Sequence, residues 1–147
     1  MDFLSLSLLY LLSYATVIVI IVFILRIPFL FTRLLSTNDL VVKEYYIKNF
    51  KKSIPFDFFL FLVYLLLSYF ITNLFKIKSY LISLLIYALV TCLISGAFGY
   101  YFLSQPKTNQ IFSRWFHSVG YFAVLYDIIL ICSTYSLMLF LFTSIKR

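Results

Sequence analysis

The sequence predicts an all-α fold, a four-helix transmembrane bundle with an amphipathic interfacial helix in its first loop. Three observations carry that expectation. Hydrophobic residues make up 64% of the 147-residue chain and charged residues only 12%, against roughly 45–50% and about 25% in ordinary soluble domains. A soluble domain of this size leaves about a third of its chain surface exposed, too much to conceal a chain whose mean hydropathy is +1.05. The apolar residues also fall in continuous runs rather than in alternation, which selects spanning helices over a β-barrel.

A bilayer-crossing helix needs about 20 apolar residues, and four runs qualify. Residues 3–25 carry no charge and end at Arg26, with Pro28 just beyond. Residues 58–75 lie between Asp57 and Lys76, and residues 79–103 between Lys78 and the turn Ser104-Gln105-Pro106-Lys107. Residues 118–145 run from His117 to Lys146-Arg147. The whole chain, 1–147, is thus expected to form one integral membrane domain. Lys76-Ile77-Lys78 is too short a link for anything but an antiparallel hairpin. The stretch SIPFDFF reads as a helix start: Ser53 is placed to cap, Pro55 sits in the first turn, and Asp57 faces the positive end of the dipole.

Residues 26–57 form the one sizeable extramembrane piece. Within DLVVKEYYIKNFKKS, a helix would put Val42, Tyr45, Tyr46 and Phe50 on one face and Glu44, Lys48, Lys51 and Lys52 on the other. Such a helix lies on the membrane or against a partner. Lys43, Lys48, Lys51 and Lys52 are its basic surface. The acidic Met1-Asp2 start and the length of the first apolar run argue against a cleaved leader.

Net charge is +7, from 12 Lys and Arg against 5 Asp and Glu. In a soluble chain that balance would suggest nucleic acid. Beside apolar spans, basic residues instead set orientation and hold anionic lipid headgroups, so the lipid bilayer is the expected partner and nucleic acid is not. The face holding Arg26, Arg33, Lys43, Lys48, Lys51, Lys52, Lys107 and Arg114 outweighs the face holding Lys76, Lys78, Lys146 and Arg147. The 26–57 loop is therefore expected in the cytosol, with both termini on the non-cytosolic side.

The third run carries two adjacent rows of small residues, Ala88-Cys92-Gly96 and Thr91-Ser95-Gly99, each spaced four apart. Small side chains let membrane helices approach closely, so this face is expected to be a helix–helix seam. In the fourth run Gly120, Ala123, Asp127 and Thr134 share roughly one face. An acid facing lipid costs at least ~2.5 kcal/mol near the membrane centre, so Asp127 should turn inward, toward the small face of the third span or a tyrosine of the second. It either bonds a neighbouring helix or handles an ion or proton. No second acid or base is apparent within the core of any span, which weighs against transport. Arg114, Trp115 and His117 sit where the fourth helix enters the membrane and read as an interfacial anchor.

No Gly-rich phosphate loop, HExxH, GxSxG or useful pair of carboxylates occurs, and Cys92 and Cys132 lack metal or redox spacing. No catalytic residue, cofactor, metal or small-molecule substrate is expected; the chain reads as non-enzymatic.

The block RWFHSVGYFAVLYDIIL resembles a WF-x-x-VGY-x-x-V-x-YD pattern of small multi-pass membrane proteins of nucleocytoplasmic large DNA viruses. The matching positions are Trp115, Phe116, Val119, Gly120, Tyr121, Val124, Tyr126 and Asp127. The bias toward 18 Phe and 13 Tyr is similar to that of AT-rich viral or protist mitochondrial genomes. The resemblance implies a virion structural protein, a minor capsid component in contact with other membrane or capsid proteins, that links the viral inner membrane to the shell. The alternatives are an accessory subunit of a protist mitochondrial respiratory or ATP synthase complex in the inner membrane and, in a different class, a small ion or proton pathway through Asp127.

Overall fold

The computed structural model describes residues 3–145, with side chains from Ser7 onward. Lys146 and Arg147, which entered the charge asymmetry, lie outside the described residues. The first span is helix α1 (Phe3–Ile18), which widens into a π-helical turn at Val19–Ile24. Arg26, in left-handed conformation at φ 52°, turns the chain into the short α2 (Ile27–Leu34). Helix α3 (Leu40–Lys43) continues into a second π-helical turn, Glu44–Lys48. Then follow α4 (Phe50–Leu74), α5 (Tyr80–Ser104), α6 (Ile111–Val119) and α7 (Phe122–Ile145). No strand occurs among the described residues. Four helices are long and apolar enough to cross a membrane: the one ending at Ile24, α4, α5 and α7.

Burial in these helices is inverted relative to a soluble bundle. On α4 the buried positions Ser53, Asp57, Phe61, Tyr64, Ser68 and Thr72 form one stripe. On α5 the stripe is Ser83, Tyr87, Thr91, Ser95 and Gly99. Opposite it, Leu81, Leu85, Leu89 and Leu93 are 60–73% exposed. Polar side chains inward and leucines outward is the arrangement lipid demands, because hydrocarbon welcomes Leu and penalises a hydroxyl or carboxyl. Along α1 and the π-helical turn that extends it, Tyr10, Ser13, Tyr14, Val17, Ile18, Ile21 and Val22 point inward.

The four long helices form one bundle. Helix α5 packs along α7, α1 lies against α7, and α4 packs on α5. The ring closes where the Tyr10 hydroxyl donates to the Phe58 carbonyl at 2.8 Å.

Two boundaries and one buried face differ from the sequence expectation. Helix α4 begins at Phe50, with Lys52 and Ser53 donating to the Asn49 carbonyl, so Ser53 is a buried helical residue rather than a cap. Pro55 lies inside the helix; the carbonyl its ring leaves without a donor belongs to Lys51, an exposed residue. The fourth run is two helices, divided at Gly120, whose φ of 57° and ψ of −144° no helix contains. Gly120 is thus a turn residue and not a packing position. The third difference is the first loop: Val42, Tyr45 and Tyr46 are buried, so the apolar face of α3 and of the π-helical turn after it packs on the chain's own α6 and α4. Phe50, expected on that face, is exposed.

Candidate functional site

The site grows from the π-helical turn after α3. Widening the helix there places Tyr45 and Tyr46, adjacent in sequence, both inward. The Tyr45 hydroxyl donates to Asp57 Oδ1 at 2.6 Å. Burial, before any charge effect, pushes both phenols well above their ordinary pKa. Each therefore remains a protonated donor at any physiological pH.

Helix α6 closes the site from above α7's first turn. Trp115 is buried, with ring centroids 5.1 Å from Tyr45, 5.7 Å from Tyr46 and 6.3 Å from Tyr126. These are favourable aromatic separations. Arg114 grips Glu44 with both guanidinium nitrogens, Nη1 to Oε2 at 2.7 Å and Nη2 to Oε1 at 2.6 Å. The Arg114 hydrogen bond, more than charge alone, holds the Glu44 carboxyl below its usual range, and raises Arg114 in turn. Phe116 stacks on Phe102 at 5.5 Å, and Thr37 Oγ1 donates to the Ser118 carbonyl at 2.7 Å. The group expected as an interfacial anchor is therefore tied into the protein. Trp115 packs among rings, Arg114 pairs with Glu44, and half-buried His117 has Nδ1 2.8 Å from the Ser113 carbonyl.

On α7, Asp127 accepts a hydrogen bond from Ser95 Oγ of α5 at 2.6 Å. Thr91, Ser95 and Gly99 form the buried row of α5. A methyl on Gly99 would stand 3.3 Å from Phe116 Cε1, so this glycine is what lets α6 approach. The other row does not join the seam: Ala88 and Gly96 are half-buried, Cys92 is exposed, and a methyl on Gly96 would meet nothing within 4 Å. Ala123 is buried at the start of α7. Lys43, Lys48, Lys51 and Lys52 are exposed, and Lys43 pairs with Asp39 at 3.0 Å.

The residue that sequence reasoning misplaced is Asp57. Taken as a helix-start acid, it lies seven residues inside α4 and is buried. It lines the same cavity as Asp127, a space of about 100 Å³ among the π-helical turn after α3 and helices α4, α5, α6 and α7. A second acid does therefore exist within the bundle. The signal was present in the spacing: Asp57, Tyr64, Ser68 and Thr72 already share one helical face.

Two carboxyls, the phenols of Tyr45, Tyr46, Tyr64 and Tyr126, and the Trp115 indole surround this cavity, and no basic side chain lines it. Among the described residues no cluster of His, Cys, Asp or Glu could hold a metal ion. Chemically the arrangement can bind or exchange a positive charge. No family model, curated protein or solved structure matches the chain.

Proposed function

We propose that this integral membrane protein is a non-enzymatic structural component of a larger assembly, specifically a virion protein that links an internal membrane to the capsid shell. What supports the reading is the use to which the WF-x-x-VGY-x-x-V-x-YD block is put. Trp115, Phe116, Val119 and Tyr126 are buried, Gly120 makes the turn, and Asp127 bonds α5. The block locks α6 onto the bundle and is a device for shape. Beside it, exposed Lys48, Lys51 and Lys52 offer a basic surface to anionic headgroups or to neighbouring capsid proteins. In this reading the 26–57 segment faces the cytosol and both termini the opposite side.

Purification of the protein from its source decides the matter. Co-sedimentation with virions and cross-links from these lysines to capsid proteins are expected. Co-migration with respiratory or ATP synthase complexes would replace the assembly with a mitochondrial one.

A second reading, an ion or proton pathway, draws on one observation: Asp57 joins Asp127 at a common cavity. Proton flux into proteoliposomes that is abolished by Asp127→Asn would favour it over the structural role.

A further inference from the structure

We propose that the cavity between Asp57 and Asp127 is a binding site for a small alkylammonium group. The inference is independent of which assembly the protein joins.

Charge is the first consideration. Each carboxyl receives one protein hydrogen bond, Asp57 Oδ1 from Tyr45 and Asp127 Oδ2 from Ser95. Among the described residues neither has a donor at its second oxygen, and no Lys, Arg or His lines the cavity. An ionised carboxylate sealed from water without a positive partner is strongly disfavoured. In their ionised form the two acids therefore need a partner from outside the chain.

Tyr64 is the second and separate observation. It lines the same cavity, is 0% exposed, and its hydroxyl has no hydrogen-bond partner among the described residues. A buried hydroxyl left unmatched costs about 1–3 kcal/mol, so its presence at an otherwise ring-lined wall marks a place for a polar guest.

The rest of the wall specifies what kind. Tyr45, Tyr46, Tyr126 and Trp115 present aromatic rings around the two acids, and ring faces attract cations, most strongly when both are desolvated. A hard metal ion would be served poorly here, because calcium and magnesium take six or more oxygen ligands or keep their own water. An ammonium carrying methyl or methylene groups fits both halves of the wall, its charge toward the carboxyls and its carbons against the rings. The volume, about 100 Å³, equals that of about three liquid waters, which suits a methylammonium-sized to tetramethylammonium-sized group.

The entrance restricts the source to two. Of the residues lining the cavity, Phe56 on α4 and Phe98 on α5 are the exposed ones, at 47% and 42%, so the mouth opens sideways between two spanning helices. A free amine or the amine headgroup of a lipid can enter there.

Trp115, the chain's one tryptophan, is a built-in reporter on the cavity wall. The full chain should be placed in nanodiscs of phosphatidylglycerol alone, which has no amine, at mildly alkaline pH. Titration with methylammonium or tetramethylammonium chloride should change Trp115 fluorescence saturably, whereas sodium chloride at equal ionic strength should not. Asp57→Asn with Asp127→Asn should weaken the response at least tenfold. Tyr64→Phe removes a hydroxyl that bonds nothing among the described residues, so folding is spared, and binding of methylammonium should weaken roughly 3- to 10-fold. In nanodiscs of phosphatidylethanolamine, a signal already saturated before titration identifies the lipid headgroup as the source. An unchanged titration there identifies a free amine. An equal response to sodium, no saturable response, or a response that survives the double variant would overturn the proposal.

Discussion

Gly120 offers the sharpest test of the fold. Its φ of 57° and ψ of −144° lie in a region essentially reserved for glycine, where another residue incurs about 1–3 kcal/mol. Space does not enter the sum, because a methyl group there would meet only Leu35 Cδ1 at 4.0 Å. Gly120→Ala should therefore lose about 1–3 kcal/mol through the backbone alone, a roughly 5- to 150-fold drop in the folded-to-unfolded ratio. Gly96 is the matched control. It sits inside α5 with nothing within 4 Å of an added methyl, so Gly96→Ala should be neutral or gain up to about 1 kcal/mol of helix propensity. Gly99→Ala should fall between, since its methyl pushes the Phe116 ring by a few tenths of an ångström. Equilibrium unfolding in mixed micelles, followed by Trp115 fluorescence and circular dichroism, ranks the three. A Gly120→Ala protein as stable as the parent, or a Gly96→Ala protein equally weakened, would refute the division of the fourth run into α6 and α7.

The Glu44–Arg114 pair should give a small, acid-sensitive contribution of up to about 1 kcal/mol, since both side chains are about a quarter exposed. The folded pKa of Glu44 lies below its ordinary 4.5, so the contribution is complete above that value and is lost as pH falls through the lowered one. The stability difference between the parent and Glu44→Gln, measured against pH, should shrink on acidification; a difference that grows would contradict this. Asp127→Asn should keep the bundle, because the amide still accepts from Ser95, whereas Asp127→Leu should leave Ser95 unmatched and cost about 1–3 kcal/mol in the same unfolding assay. Equal losses in the two variants would point to the ionised form as the structural element. Cysteines placed at Ile21 and Leu66 should resist membrane-impermeant maleimide in intact membranes, the first buried in the bundle and the second facing lipid; ready labelling of either would remove that helix from the set of spans.

The helical spans were readable because hydrocarbon imposes a length and forbids charge, and both rules act on consecutive residues. The termini of α5, Tyr80 and Ser104, lie within a residue of the expected run. What escaped sequence reading depended on distant parts of the chain. A glycine within an apolar run looks alike whether it packs a helix or breaks one, and only the Gly120 torsion angles tell the two apart. The amphipathic pattern around Tyr45 and Tyr46 says that one face avoids water, not whether a bilayer or α6 covers it. Arg114 next to Trp115 resembles a headgroup anchor until Glu44, 70 positions away, is seen to hold it. Asp57 was misplaced because Ser53 and Pro55 imitate a helix start, so an acid seven residues inside α4 looked like one at its edge. The stripe of Thr91, Ser95 and Gly99 was visible as spacing, but its twin through Ala88, Cys92 and Gly96 had the same spacing and is only half-buried at Ala88 and Gly96 and exposed at Cys92.

The pairing of α1 with α7 sets an order on biogenesis. Helix α1 packs chiefly against α7, so it must wait in lipid while the helices between them are synthesised. Helices α4 and α5, joined by a tight turn, can associate meanwhile as a hairpin of local contacts, the fast kind of association. During the wait α1 carries Ser13 and Tyr14, side chains that the finished bundle buries, into the membrane without their eventual surroundings. A ribosome that stops before Phe122 would leave that stripe facing lipid, an exposed polar mark by which membrane quality control can distinguish an unfinished chain from a completed one.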